Sequence, residues 1–356
     1  MSTRPRIYLD YNASAPLTEA ARTAMVDALE DLANPSSIHA EGRRARDRVE
    51  RARRQVADLV GRPREQIVFT SGGTEANQLG IAMLARAAEA RGLPRVVATT
   101  PLEHPSLQGA IAALGWRTVM LPAHEPVGLV AAALVNHELG TILDLAIVDE
   151  AARAGALVHL DAVQAVGKLP LPPVDSLAIS AHKLGGPAGV GALVLARDEG
   201  LPVEAGHQER GRRAGTENVV GIVGFGAAAA QVDLAAWPAV AALGDRLEQG
   251  ILAIPGTRIH GADRPRVGGT VNAGFTGARG QDLVIALDLQ GIAASTGAAC
   301  TSGSVKPSEV LLGLGLSREQ ALEAVRFSLG RGTTPAQVDE VVQRLVPLVQ
   351  RARLHR

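Results

Sequence analysis

At 356 residues and 46% hydrophobic content, the chain exceeds one small domain and suits two domains, or one large α/β domain carrying a smaller one. Thirty-six basic residues against thirty-six acidic ones leave no net charge, so there is no global footprint for nucleic acid or an anionic membrane, and any anion site is local. A lone cysteine, Cys300, excludes an internal disulfide and a multi-cysteine metal site, and no metal is expected.

From the N-terminus, residues 1–6 carry charge with no apolar segment of signal-peptide length behind them, which reads as cytoplasmic. Residues 41–60 have a helical pattern rich in arginine; Glu41, Asp47, Glu50 and Asp58 offset that charge, and a solvated, salt-bridged face is the expectation. Apolar, β-branched runs at 66–70, 95–100, 117–121, 157–160, 177–180 and 190–195 predict short buried strands. Helices predicted at 74–90, 105–114 and 142–154 alternate with them, as a mostly parallel sheet sandwiched by helices requires. The apolar run 219–230 contains glycines and is too short for a bilayer, so it predicts a buried helix and no membrane role. From about residue 255 a strand-like run at 270–275 mixes with amphipathic stretches at 281–289 and 335–351. The expected division is a large α/β domain over 15–253 and a small α+β domain built from 1–14 and 254–356.

Loops that follow successive parallel strands share one face, where open α/β sheets bind ligands. The stretch Ser180-Ala181-His182-Lys183 closes one such strand, and Asp161 and Gln164 close the strand before it. A desolvated lysine is a nucleophile able to form a Schiff base, and an aspartate facing the same space keeps a heterocyclic nitrogen protonated. Together they are what pyridoxal 5'-phosphate needs. Singly, Asp161 also reads as a helix cap and Lys183 as a solvated loop residue. Gly72-Gly73-Thr74 runs from a strand into a helix, where free first-turn N–H groups hold a phosphate, although such turns also serve only as caps. His104, after the next strand, is placed to stack on a planar ring or simply to cap a turn. The basic loop 209–218, which contains Thr216, suits an anion or an interdomain or dimer contact, and Arg326 suits an amino-acid carboxylate or a structural ion pair. Cys300 lies among small residues that offer nothing to bury, which suggests a travelling, reactive thiol.

These residues, with Tyr8-Leu9-Asp10-Tyr11-Asn12-Ala13 and Asn34-Pro35-Ser36-Ser37-Ile38-His39, resemble the pyridoxal-phosphate cysteine desulfurases of the class V aminotransferase family. The likeness covers almost the whole chain, and the spacing from Cys300 to Arg326 fits the extended-cysteine-loop subgroup that serves nitrogenase maturation and general iron–sulfur cluster assembly. It implies fold type I. It further implies that Lys183 carries the cofactor, Asp161 pairs with the ring nitrogen, Gln164 with the ring hydroxyl, and His104 stacks on the ring. Gly73, Thr74, Ser180 and His182 are implied to hold the phosphate, joined by Thr216 of the neighbouring subunit of a homodimer. Arg326 would take the substrate carboxylate, with Asn136 and His137 beside the substrate. Cys300 would accept sulfur from L-cysteine as a persulfide and pass it to an acceptor protein or cluster scaffold.

The sequence departs from the family pattern where Asn136-His137-Glu138 replaces Asn-Asn-Glu, and where Ala205-Gly206-His207-Gln208-Glu209 replaces glycines. Two other readings remain open at this level. One keeps the cofactor and changes the reaction to selenocysteine lyase or another lyase or aminotransferase; the other is a catalytically weak scaffold subunit.

Overall fold

A computed structural model describes residues 5–30, 33–197, 206–297 and 306–354. The chain falls into two compact units, one formed by Ala15–Val135 with Leu143–Leu234 and the other by Met1–Ser14, Asn136–Ile142 and Ala235–Arg356.

The first unit is built on a seven-stranded sheet: β1 Ile67–Thr70, β2 Val96–Thr99, β3 Arg117–Met120, β4 Leu129–Ala133, β5 Leu157–Asp161, β6 Ser176–Ser180 and β7 Gly191–Leu195. Their order is β1-β7-β6-β5-β4-β2-β3. Only β7 runs against its neighbours; every other pairing is parallel. Strands β1, β2, β5, β6 and β7 are buried along their whole length, which explains their continuous apolar runs, while β3 at the edge is largely exposed. Sequence reading finds six of the seven. It misses β4, whose Leu-Val-Ala-Ala-Ala lacks the β-branched density that marks a strand and gains its place through pairing on both sides.

The register decides where chemistry can occur. Ala133 pairs with Asp161, Asp161 with Ala178, Ser180 with Gly191, and Gly191 with Thr70. The ends of β4, β5, β6 and β1 therefore lie along one edge of the sheet, and the turns that follow them emerge together. Helix Gly73–Ala90 packs across β5, β6 and β7, its Ala76 and Met83 meeting Val68, Ala178 and Leu193. Its other side, with Ile81 and Leu84, joins helix Pro105–Ala113 in a cluster containing Val97, Leu107, Ile111, Trp116, Leu129 and Leu157. Helices Glu19–Leu29 and Ala40–Val60 pack on Val219–Ala229, the buried apolar helix expected from its sequence.

The second unit holds an antiparallel sheet in which Thr270–Phe275 lies between Thr257–Ile259 and Ala324–Ser328. A short parallel pair, Ile7–Tyr8 with Ile292–Ala293, anchors the N-terminal segment, and helix Pro335–Leu354 packs against Trp237–Leu252 and Gly280–Leu289. Among the described residues, no single helix is long and apolar enough to cross a membrane.

Candidate active site

Lys183 closes a 3-10 turn, Ala181–Lys183, directly after β6, while Asp161 is the last residue of the adjacent β5. Both therefore stand at the same sheet edge. Asp161 is buried; burial pushes its carboxyl pKa up, and the Asn77 amide, the Val163 N–H and the nearby His104 and Lys183 pull it back. Its Oδ2 accepts from Asn77 Nδ2 at 2.7 Å and its Oδ1 from Val163 N at 2.9 Å. His104 caps helix Pro105–Ala113, its Nδ1 accepting from Ser106 N. Partial desolvation lowers its pKa, with Asp161 opposing and Lys183 adding to the effect, so charge at these three residues is mutually felt. Burial and Lys183 push His182 down to about 4, which keeps this imidazole neutral at pH 7. Gln164 is buried nearby in sequence, its Oε1 accepting from Lys168 Nζ at 3.1 Å.

The turn from β1 into helix Gly73–Ala90 has no side-chain cap, so Gly73 and Thr74 present first-turn N–H groups at the positive end of an 18-residue helix. Gly191 lets this backbone close on β7, because a Cβ there would come within 2.7 Å of the Gly72 carbonyl carbon. Ser180, the last residue of β6, is buried beside it in register. Glu75 reaches back to Ser71 N–H and pairs with Arg213; burial works against its charge, but these partners hold its pKa below the usual carboxylate range. Thr216 is exposed and, with Ser71, Thr70 and Arg213, lines a cavity of about 150 Å³.

The loop carrying Thr216 is less solvated than its composition suggests. Glu209 and Arg210 adopt left-handed conformations, at φ 48° and 60°, that side chains other than glycine rarely take. What holds them is Arg53. It is buried on helix Ala40–Val60 and donates through Nη1 and Nη2 to Glu209 at 2.6 and 2.8 Å. Glu209 Oε2 also accepts from Phe69 N, and the guanidinium lies 4.8 Å from the Phe69 ring centre. The expectation of a solvated arginine face is thus right for Arg43, Arg44 and Arg51, which are exposed, and wrong for Arg53.

In the second unit, Arg326 lies on Ala324–Ser328 and is buried. Its Nη2 donates to Asp10 Oδ1 at 2.8 Å and its Nη1 to the His137 carbonyl at 3.1 Å. Its Nε is buried with no hydrogen-bond partner among the described residues, an orphan donor that calls for an acceptor. Asn136 folds its own turn, Oδ1 accepting from the N–H groups of Glu138 and Leu139. His137 is half-buried with Nε2 3.7 Å from Glu138 Oε1, and Glu138 is raised by burial against the opposing effects of Ser308 and Arg326. Cys300 and Ala205 lie outside the described residues.

The structure thus brings Lys183, Asp161, His104, Ser180, His182, Gly73 and Thr74 to the strand-end edge of one unit. It also shows residues that pattern reading passed over. Asp10 fixes the Arg326 fork, Asn77 grips Asp161, and Glu103, buried next to His104, accepts from Thr100 Oγ1 at 2.6 Å and Ala133 N at 2.8 Å. The available signal was a polar residue on a buried face: Asn77 follows Ala76 and precedes Gly80 and Ile81 on the side of its helix that meets the sheet.

This donor set fits a planar phosphorylated pyridine. A buried carboxyl that accepts from two N–H groups, a lysine beside it and an uncapped helix start are the chemistry that a ring nitrogen, an aldehyde and a phosphate require. A fold of this kind with this edge defines a pyridoxal-phosphate enzyme of fold type I. The Aminotransferase class-V family model matches residues 7–126 and 123–341, and the chain belongs to that family, whose members are pyridoxal-phosphate-dependent. It is 39% identical over 376 residues to cysteine desulfurase 2 of Trichormus variabilis, covering 98% of this chain and 94% of the relative. A cysteine desulfurase of Cereibacter sphaeroides is likewise 39% identical, over 98% of this chain and 97% of its own length. Among solved structures, a NifS-like protein superposes with a TM-score of 0.86 at 29% identity, covering 97% of this chain and 99% of that one.

Proposed function

We propose that the chain is a cysteine desulfurase, converting L-cysteine to L-alanine while Cys300 takes the sulfur as a persulfide. The observation that carries this is the meeting of Lys183 with buried Asp161 at adjacent strand ends, in a chain 39% identical to curated cysteine desulfurases over almost its whole length.

Pyridoxal phosphate, when bound, supplies an electron sink for charge that develops at the substrate α-carbon. The chain's residues do the rest. Asp161 would hold the proton of the ring nitrogen, Gln164 the ring hydroxyl and His104 the ring face. Gly73, Thr74, Ser180 and His182 would hold the phosphate, with Thr216 supplied by the second subunit of a homodimer. Neutral His182 donates one N–H without adding charge. Arg326, its fork fixed by Asp10, would bind the substrate carboxylate, and the half-buried His137 would stand beside the substrate in place of the asparagine usual in the family. Lys183 Nζ would take the α-proton. The Cys300 thiolate then attacks the substrate sulfur: an Sγ–S bond forms, the Cβ–S bond breaks with its electron pair going to carbon, a proton is delivered to Cβ, and return of a proton from Lys183 Nζ to Cα completes alanine. An acceptor protein or cluster scaffold would collect the persulfide sulfur. A cytoplasmic location follows from the need for a reduced thiol at Cys300.

The test uses purified protein loaded with pyridoxal phosphate. L-Cysteine should yield alanine in step with persulfide on the protein; Cys300→Ser should keep the cofactor absorbance and lose the persulfide, whereas Lys183→Ala should lose both the lysine-linked absorbance and turnover. Sulfide release from cysteine that is unchanged in Cys300→Ser would overturn the assignment.

A further inference from the structure

Behind Asp161 lies a chain of hydrogen bonds that reaches His104. His159, two residues earlier on β5, is fully buried, and burial pushes its pKa down to about 3, so the ring is neutral and only one nitrogen carries hydrogen. Its Nδ1 lies 2.7 Å from Ser176 Oγ and its Nε2 3.0 Å from Asn77 Oδ1. Asn77 Nδ2 reaches Asp161 Oδ2 at 2.7 Å and Ser106 Oγ at 3.0 Å. Ser106 Oγ in turn lies 2.8 Å from His104 Nδ1. The helix can come this close to β5 because residue 80 is glycine; a Cβ there would stand 2.6 Å from His159 Nδ1.

One placement of hydrogens satisfies every member. Asp161 accepts at both oxygens, from Val163 N and from Asn77 Nδ2, so the amide nitrogen of Asn77 faces it and Oδ1 faces His159. His159 then carries its hydrogen on Nε2, leaving Nδ1 to accept from the Ser176 hydroxyl. The second N–H of Asn77 goes to Ser106 Oγ. That hydroxyl has one hydrogen of its own, and it points to His104 Nδ1, which also accepts from Ser106 N at 3.1 Å.

We propose that Asn77, braced by His159, is a positioning residue that fixes the Asp161 carboxylate and, through Ser106, confines the His104 hydrogen to Nε2. The Nδ1 of His104 is occupied as an acceptor twice over, so any proton this imidazole gives or takes passes through Nε2. The consequence for chemistry rests on the cofactor reading above; the hydrogen-bond order does not.

The test is two-bond ¹H–¹⁵N NMR of histidine-labelled protein, with and without bound pyridoxal phosphate, His104 being assigned among nine histidines by a His104→Gln spectrum. His104 and His159 should each show a single Nε2–H tautomer in the cofactor-free chain. Asn77→Ala should return His104 to a mixture of tautomers and raise the dissociation constant for pyridoxal phosphate roughly tenfold to a hundredfold, the loss expected for a hydrogen bond to a charged group. His159→Gln, whose amide can still donate to Asn77 and accept from Ser176, should keep the native His104 pattern, and His159→Leu should not. A native His104 protonated at Nδ1, or Asn77→Ala leaving that tautomer unchanged, overturns the proposal even if the enzyme is active. The predicted tautomers in a chain that takes up no pyridoxal phosphate would uphold this network and defeat the functional reading instead.

Discussion

Glu103 shows how a site residue taxes the fold that holds it. Burial raises its pKa to about 7, with Asp161 adding to the rise while the Thr100 hydroxyl and Ala133 N–H pull it down. Because the folded value lies above the unfolded one near 4.5, the folded chain binds the extra proton. The group's stabilising protonated form is fully present below pH 4.5, and its contribution is lost as pH rises through about 7. Ionising it above that range costs about 3 kcal/mol. Glu103→Gln keeps an acceptor for Ala133 N–H and, with the Thr100 hydroxyl turned to accept from the new amide, a hydrogen bond to Thr100, so it should be more stable than the parent at pH 8 by up to about 3 kcal/mol and equal to it near pH 4. Urea unfolding at the two pH values measures this, and a constant difference would show that Glu103 does not titrate there. Arg326 makes a different demand, for shape rather than charge. Arg326→Lys keeps the charge and loses the fork held by Asp10 and the His137 carbonyl. It should raise the KM for cysteine roughly tenfold or more while leaving cofactor absorbance intact, because a point charge cannot match a carboxylate bidentately.

Among elements, the loop over Gln208–Gly211 depends on a helix remote from it in sequence. Two left-handed residues and a buried carboxylate would not persist there without Arg53. Arg53→Met leaves Glu209 buried without its partner and should cost about 3–5 kcal/mol in chemical denaturation. Adding Glu209→Gln, which removes the orphaned charge and still accepts from Phe69 N–H, should recover much of that loss. Equal stability of the single and double variants would show that the pair carries no such coupling. The same pair marks the limit of sequence reading. Strands with dense Val, Ile and Leu and the helix after Gly73 announce themselves locally, and the lysine, aspartate and histidine at strand ends follow from that alternation. The alanine-rich β4 and the burial of Arg53 depend on partners dozens of residues away. Helix Leu145–Arg153 begins three residues later than its apolar pattern suggests because Asp144 caps it, accepting from Ala146 N. Asn77 and Asp10 lie within recognisable motifs, but their roles come from which side chains the folded sheet sets opposite them.

At the scale of the whole molecule, the decisive matter is which chain would complete the proposed phosphate site. Thr216 lies near Ser71 in its own chain, lining the same cavity of about 150 Å³, whereas the proposed homodimer lends it to the neighbouring subunit. Subunit mixing separates the two arrangements. Lys183→Ala removes the nucleophile, and Thr216→Glu sets a carboxylate against the phosphate, so each homodimer should be inactive on cysteine. If Thr216 acts across the interface, a mixed dimer contains one site with Lys183 from one chain and Thr216 from the other, both intact. Random reassembly of equal amounts should then restore roughly a quarter of the sites, since half of the dimers are mixed and each carries one good site. If Thr216 serves its own chain, every site keeps one defect and mixing restores nothing. Alanine formation after co-refolding, normalised to cofactor bound, reads the difference, and the position of Gly73 and Thr74 at the uncapped start of the same helix explains why a single added negative charge there should suffice.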